Sequence, residues 1–354
     1  MQCQSSNSSP QPPSRVLIAA GGTAGHVVPA LAVANELRDR GAEVEFAGGG
    51  RIESRMVPEA GYPFHRFDVR GFERRLSPAL ARSLFLAGKA PVDCLRIIRR
   101  VHPDVVFGAG GYVSGPMLLA ARAARVPAAL LEVDAHMGLA NRLAVPLVQR
   151  VYLAFPIPGR SGGKYRVTGR PVPQHGAISA TVDHPQVLVF GGSLGSSRLN
   201  ELAAAAWAET DPGFWVMHIT GEREYPQYAD RRTRWYQVVG FTPQLWHALS
   251  RVRLVVARAG GSVFEIAAAG RPSILIPSPN VTGDHQTANA RHLEEAGAAV
   301  VIPEAELDAG RLDREVRALL DDPDRLQAMG EATRRWARPQ AASDIADDLL
   351  TLIR

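Results

Sequence analysis

"GGTAGHVVPALAVANEL", residues 21–37, follows the apolar run Val16-Leu17-Ile18-Ala19-Ala20 and leads straight into residues at helical spacing. Glycines in such a strand-to-helix turn permit a tight bend and close approach of the backbone to a ligand. The helix N-terminus behind them offers unpaired N–H groups and a partial positive charge to an anion. The plan recurs in "QVLVFGGSLGSSRLNELAAAAW", which begins at Gln186. Neither copy has the G-x-G-x-x-G spacing of a dinucleotide fingerprint. Two copies about one domain length apart predict two domains built alike.

The rest of each half alternates in the same way. "EVEFAGG", "DVVFGAGG", "PAALLEV" and "RVYLAF" read as buried strands in the first half, with helices near 29–40, 54–60, 78–101, 115–125 and 138–148. "FWVMHITG", "WYQVVGF", "LVVARAGG", "SILIPS" and "AAVVIP" follow in the second, with helices near 197–208, 262–269, 284–296 and 310–320. This alternation predicts an α/β protein of two Rossmann-like domains, their parallel sheets facing across a cleft, with ligands at the carboxyl ends of the strands. The expected organisation is a disordered polar tail over 1–14, a first domain over 15–165 and a linker over 166–183. A second domain over 184–340 and a C-terminal helix over 341–354 complete it.

Composition narrows the class. Apolar residues make up 46 % of the 354 and charged residues 21 %, the balance of a globular chain. Two cysteines, Cys3 and Cys94, make neither a disulfide framework nor a metal site, which fits a reducing cytoplasm. The net charge of +5 does not by itself favour nucleic acid.

"ARAGGSVFEIAAAGRPSILIPSP", residues 257–279, carries the most chemistry. Ser262-Val263-Phe264-Glu265 fits a capping box, with Ser262 capping the helix and Glu265 reaching back to its N–H. Alternatively the Glu265 carboxylate accepts hydrogen bonds from a vicinal diol such as a ribose. The following "TGDHQTANA" supplies His285, Gln286 and Asn289, neutral donors and acceptors suited to sugar hydroxyls.

The segments GGTAGHVVPALAVA, DVVFGAGGYVSGP, LVFGGSLGS, ARAGGSVFEIAAAGRPSILIPSP and DHQTANA, in this order, resemble the MurG family of peptidoglycan synthesis. The similarity runs from about residue 15 to the C-terminus. It implies a GT-B fold and inverting transfer of N-acetylglucosamine (GlcNAc) from UDP-GlcNAc to lipid I, the undecaprenyl-pyrophosphoryl muramyl-pentapeptide, giving lipid II. It further implies a peripheral enzyme on the cytoplasmic face of the membrane; no cofactor and no catalytic divalent metal are expected, with helix dipoles, backbone N–H groups and Arg170 in a metal's place.

The resemblance also implies roles by position. Gly192, Ser193 and Gly195 meet the nucleotide phosphates, and Glu265 binds the ribose beside Gly261 and Ser262. The main chain at Thr242 reads uracil with Leu245 nearby, and His285, Gln286 and Asn289 face the donor sugar. Thr23, Ala24 and Gly25 of the first loop, with Asp134 and Arg170, complete the donor contacts. Gly22, Tyr112, Glu132 and Asn141 face the acceptor. His26 is the candidate general base, taking the proton of the attacking hydroxyl, with Glu132 and Asp134 as alternatives.

Four departures from the family pattern stand out. Ala24 replaces a glycine, Leu131-Glu132-Val133-Asp134 stands for His-Glu-Gln-Asn, and Leu194 replaces a glutamine. Arg170-Pro171-Val172-Pro173 stands for Asn-Pro-Val-Arg, so Arg170 is a substitute for the missing arginine. Between Val69 and His102, Leu76, Leu80, Leu84, Phe85 and Leu86 alternate with Arg74, Arg75, Arg82, Lys89, Arg96, Arg99 and Arg100. An apolar patch ringed by basic groups suits an anionic membrane surface; an ordinary core helix with a basic outer face is the other reading. Three further functions stay open: a glycosyltransferase with a soluble acceptor, a UDP-GlcNAc 2-epimerase, and a non-catalytic nucleotide-sugar binder.

Overall fold

The structure, a computed structural model, describes residues 12–69, 78–173, 186–192, 195–242, 245–281 and 284–353, with no side chains described over 78–88. The chain divides into two compact units. One comprises residues 1–131, 139–152 and 342–354; the other comprises 132–138 and 153–341.

In the first unit β1 (Arg15–Ala19) lies between β2 (Glu43–Gly48) and β4 (Val105–Gly108), with β3 (Phe64–Arg66) outside β2 and β5 (Ala128–Glu132) outside β4. All these neighbours run parallel, Ile18 standing opposite both Phe46 and Phe107. With β6 (Arg150–Leu153) and β7 (Tyr165–Val167) the sheet order is β3-β2-β1-β4-β5-β6-β7. Val16, Leu17 and Ile18 are at most 1 % exposed, as expected of a parallel strand covered on both faces. The covering helices are α1 (Ala24–Asp39), α2 (Glu53–Glu59), α3 (Pro78–Val101), α4 (Ser114–Ala124) and α5 (Leu139–Ala144).

The helix α1 begins five residues before the expected start at 29. Pro29 reads as a first-turn residue, yet it sits inside the helix. The glycine turn is complete by Thr23, whose carbonyl accepts from His26 N (3.0 Å) and Val27 N (3.3 Å), so His26 belongs to the first turn.

The second unit holds six parallel strands in the order β10-β9-β8-β11-β12-β13. These are β8 (Gln186–Phe190), β9 (Trp215–Ile219), β10 (Tyr236–Val239), β11 (Leu254–Ala257), β12 (Ser273–Leu275) and β13 (Ala299–Val301). Its helices are α6 (Ser197–Trp207), α7 (Tyr225–Tyr228), α8 (Leu245–Ser250), α9 (Val263–Ala268), α10 (His285–Glu295), α11 (Ala309–Leu320) and α12 (Pro323–Trp336). One core forms around Trp207, Tyr236 and Leu312, and the other around Phe155, Phe264 and Leu293. In each sheet the strand order reverses beside the first strand, between β1 and β4 and between β8 and β11. Glycine turns follow all four strands, at the place where open α/β sheets bind ligands.

The last helix, α13 (Ala341–Leu350), returns to the first unit. Arg40 pairs with Asp347 (2.6 Å), while Arg150 Nε (3.0 Å) and Tyr152 Oη (2.8 Å) both donate to Asp348 Oδ2. Residues 1–11, 174–183 and 193, which enter the expected tail, linker and phosphate loop, lie outside the described residues. So do Arg74, Arg75 and Leu76 of the basic-apolar stretch and the side chains of Leu80, Arg82, Leu84, Phe85 and Leu86.

Candidate active site

In the first unit the turn after β1 is built against the turn after β4. Ala109 N donates to Ala19 O (2.9 Å), and Ser114 Oγ donates to Ala19 O (3.2 Å) and Gly110 O (2.8 Å). Gly110 has φ +91°, and a Cβ there would stand 2.8 Å from His26 Nδ1; one at Gly111 would meet His26 Cδ2 at 3.3 Å. Two missing side chains therefore make room for the half-buried imidazole. Tyr112 leans over Gly22, where a Cβ would lie 3.0 Å from its ring. Burial pushes the Tyr112 hydroxyl above its ordinary value, aided by the Glu53 charge and opposed by Arg51. Asn141 is buried, and its Nδ2 donates to Leu131 O (3.4 Å). Gly22, Tyr112 and His26 thus share one neighbourhood, with half-buried Ala24 and Gly25 and exposed Thr23 on the same turn.

In the second unit Glu132 is buried, and its carboxylate closes the segment that follows it. Oε1 accepts from Asp134 N and Oε2 from Gly138 N, both at 3.1 Å. Asn289 is fully buried; its Oδ1 accepts from Ala135 N and its Nδ2 donates to Ala259 O, again at 3.1 Å. Its amide ties residues 132–138 to the glycine turn after β11. Gln286 Oε1 accepts from Ser278 N (2.9 Å), which leaves its Nε2 facing Gly260, 3.9 Å from where a Cβ would stand. His285 is half-buried at the first position of α10.

Arg170 lies beside these groups, 7 % exposed, its guanidinium over Gly261 where any Cβ would collide with it. Burial draws its pKa down, and the charges of Asp134, Glu265 and Glu132 oppose that. Glu265 responds in the opposite sense: burial raises its carboxyl above the ordinary range, and Arg170 holds it back. Glu265 also lines a small recess with Val172, Pro173, Trp246 and Ala268. The expected capping box does not form, because Ser262 is in helical conformation and its side chain makes no cap. With its main chain already helical, Ser262 lacks the extended geometry that aims a hydroxyl back at the helix N–H groups. Glu265 is thus left facing Arg170 and the recess. Half-buried Thr242 follows β10 and Leu245 opens α8.

The glycine turn after β8 closes on itself, Gly195 N donating to Gly192 O (3.0 Å). Three buried groups, present in the quoted segments but given no role there, brace it. Arg258 Nε donates to Ser196 Oγ (2.9 Å), its Nη1 donates to Ile276 O (3.1 Å), and its Nη2 pairs with Glu304. Below, Asn200 Nδ2 donates to Thr220 O and to Glu224 Oε2, both at 2.8 Å, so its Oδ1 is left to accept from His218 Nε2 (2.9 Å). His218 Nδ1 must then accept from Tyr236 Oη (2.5 Å). Complete burial lowers the imidazole pKa to about 4. In the first unit the corresponding surprise is Glu53, also fully buried, whose Oε2 accepts from Gly22 N (3.0 Å). The only sequence signal for it was the run Gly48-Gly49-Gly50 immediately upstream.

Among the described residues no cluster of histidine, cysteine and carboxylate groups suits a metal. Asp322-Pro323-Asp324 has D-x-D spacing, but Asp322 Oδ1 accepts from Arg325 N (2.9 Å) as the cap of α12.

Comparison with known proteins adds to this geometry. Residues 16–153 match the glycosyltransferase family 28 N-terminal domain and residues 186–349 its C-terminal domain. A UDP-N-acetylglucosamine--N-acetylmuramyl-(pentapeptide) pyrophosphoryl-undecaprenol N-acetylglucosamine transferase of Stutzerimonas stutzeri is 40 % identical over 345 residues, covering 94 % of this chain and 97 % of that one. The enzyme of the same name from Methylococcus capsulatus is 41 % identical over 345 residues, with the same coverage. The crystal structure of Acinetobacter baumannii MurG superposes with a TM-score of 0.78 at 29 % identity, over 96 % of this chain and all of that one. The chain is a GT-B glycosyltransferase of family 28, and it belongs to the MurG family.

Proposed function

We propose that this chain transfers GlcNAc, with inversion, from UDP-GlcNAc to lipid I, the lipid-linked muramyl-pentapeptide diphosphate, forming lipid II. The observation that carries this reading is 40 % identity to an enzyme so named along nearly the whole of both chains. The constellation of Arg170, Glu265 and Gly261 supports it. In this reading Glu265 takes the ribose hydroxyls, and Thr242 and Leu245 take the uracil. Gly192, Ser193 and Gly195 form the turn that meets the diphosphate, although the Gly195 amide is spent on Gly192 O. His285 and Gln286 contact the donor sugar. Asn289, whose amide is spent on Ala135 and Ala259, acts by holding the 132–138 segment in place.

The chemical step needs a base for the acceptor hydroxyl and positive potential for the departing UDP. His26 removes the proton as the hydroxyl oxygen bonds to the anomeric carbon and the bond to UDP breaks. Glu132 is not the base in this scheme, because both its oxygens already accept backbone N–H groups. Arg170 stabilises the leaving diphosphate, and Asp134 and Glu265 keep its buried cation in place.

The acceptor's lipid places the enzyme on an anionic membrane surface. No described helix is long and apolar enough to cross a membrane. On the first unit Leu119, Leu139 and Leu143 are 46 %, 71 % and 70 % exposed, beside exposed Arg122 and Arg142 on the same helices. Apolar side chains among arginines suit the headgroup region of a bilayer. The decisive experiment is UDP release with and without a short-chain lipid I analogue. Acceptor-dependent release with a new disaccharide supports the reading; release or epimerisation that ignores the acceptor overturns it.

A further inference from the structure

The first glycine turn is already occupied from behind. Gly22 N donates to Glu53 Oε2 (3.0 Å), and Arg51 N reaches Glu53 Oε1 (3.4 Å). Glu53 is fully buried, and a Cβ on Gly21 would stand 2.8 Å from its carboxylate. An anion laid on Gly22 would lack that amide and would face a carboxylate through one layer of backbone. In the second unit, by contrast, the turn after β8 closes on its own main chain, Gly195 N donating to Gly192 O.

Positive charge lies to one side of this turn, at the carboxyl ends of β2 and β3. The Arg66 guanidinium lies on Gly50, its Nη2 2.8 Å from where a Cβ would be. The Arg51 guanidinium sits over the Tyr112 ring, 5.5 Å from its centre. The Tyr112 hydroxyl stands 3.5 Å from a Cβ position at Gly49, and its ring edge covers Gly22. One short turn, Gly49-Gly50-Arg51, therefore gathers two guanidinium groups and a phenol beside the first loop. Both arginines are exposed, and among the described residues neither forms an ion pair with a carboxylate. The nearby acid, Glu53, is committed to main-chain amides.

We propose that Arg51 and Arg66, with Tyr112 as their platform, form the site that takes the diphosphate of the acceptor. This deepens the function proposed above and rests on it. Guanidinium groups suit such a ligand because each offers two parallel N–H donors to phosphate oxygens and stays charged at any working pH. Glu53 is a positioning residue here: it fixes Gly22 and the start of α2, and keeps the diphosphate off the loop. Gly50 is small because a side chain there would occupy the place of the Arg66 guanidinium.

The test uses the full chain with Arg51→Ala, Arg66→Ala, the double alanine variant and the double lysine variant. Each is assayed with UDP-GlcNAc and an acceptor whose prenyl chain is too short to enter membranes. The double alanine variant should raise the acceptor KM about tenfold or more, with the lysine pair intermediate. The KM for UDP-GlcNAc and the melting temperature should stay at wild-type values. Sedimentation with vesicles of phosphatidylglycerol in phosphatidylcholine separates the two phosphate sources and should be unchanged. An unaltered acceptor KM overturns the proposal, as does loss of vesicle binding alone, which would mark a lipid-headgroup site. A raised UDP-GlcNAc KM would place the arginines with the donor and overturn it too. If the wild-type protein cannot use the acceptor at all, the functional reading falls and this site with it. If it can and the variants match it, only this site falls.

Discussion

The guanidinium of Arg170 fills the space that a side chain at residue 261 would need, so glycine at that position is what seats a buried cation at the start of α9. Arg170 and Gly261 are 91 positions apart in sequence, and neither role is visible without the other. Gly261→Ala should therefore displace the arginine. The expected result is a kcat at least about tenfold lower, since positive potential at a leaving group is among the larger catalytic contributions. Steady-state kinetics with a melting curve check this; wild-type kcat in a folded variant would show that the arginine's place is immaterial.

Glu265 separates binding from stability. Its folded carboxyl titrates above the ordinary range, so its contribution to stability is full below the unfolded glutamate pKa and is lost as pH rises through the folded value. Above the unfolded pKa the buried carboxyl is a burden on the fold, because burial opposes its ionisation. Glu265→Gln should melt higher than wild type at pH 7 and lose that advantage near pH 4, while the UDP-GlcNAc KM rises. Thermal melts at the two pH values, with donor kinetics, decide both parts.

Asn289→Ala leaves Ala135 N and Ala259 O without their partner. Each unsatisfied buried group costs about 1–3 kcal/mol. Urea unfolding should show a loss in that range for the pair or somewhat above it. Full stability in the alanine variant would mean that water replaces the amide.

His26→Ala should lower kcat by about 10²–10⁴-fold, the usual effect of removing a general base, with equilibrium binding of UDP-GlcNAc little changed. Gly110→Ala tests the same point from behind, because the added methyl would press on the imidazole at a backbone angle of +91°. Both variants should share a kcat defect. Retained turnover in His26→Ala would move the base to Asp134.

His218 sets an acid limit on the second unit. Its imidazole is neutral when folded, with a pKa near 4 against about 6.5 unfolded. The stability it contributes is full above pH 6.5 and is lost as pH falls towards 4, about 3 kcal/mol in all. His218→Gln, which keeps an amide donor for Asn200, should flatten the fall in urea midpoint between pH 7 and pH 4.5. An equal fall in both proteins would assign acid lability elsewhere.

Much of this protein was determined by local sequence. Strand–glycine–helix units at Val16 and Val187 specify two Rossmann-like halves, because apolar runs of strand length followed by helical periodicity have few other ways to bury their faces. The glycine turns could likewise be found in the chain, since only glycine gives backbone such access. The start of α1 lies five residues before the expected 29, with Pro29 accommodated inside the helix. What tertiary structure alone decided are the partnerships across distant loops. Ser262 and Glu265 satisfy the capping-box spacing, yet the backbone at Ser262 turns helical and gives Glu265 to Arg170. Glu53, Arg258, Asn200 and His218 were given no role by any motif, and each became important through burial beside a glycine turn. Sequence patterns record periodicity and turn chemistry, which are local. The charge, burial and hydrogen-bond partner of a side chain depend on segments that only folding brings within 3 Å of it.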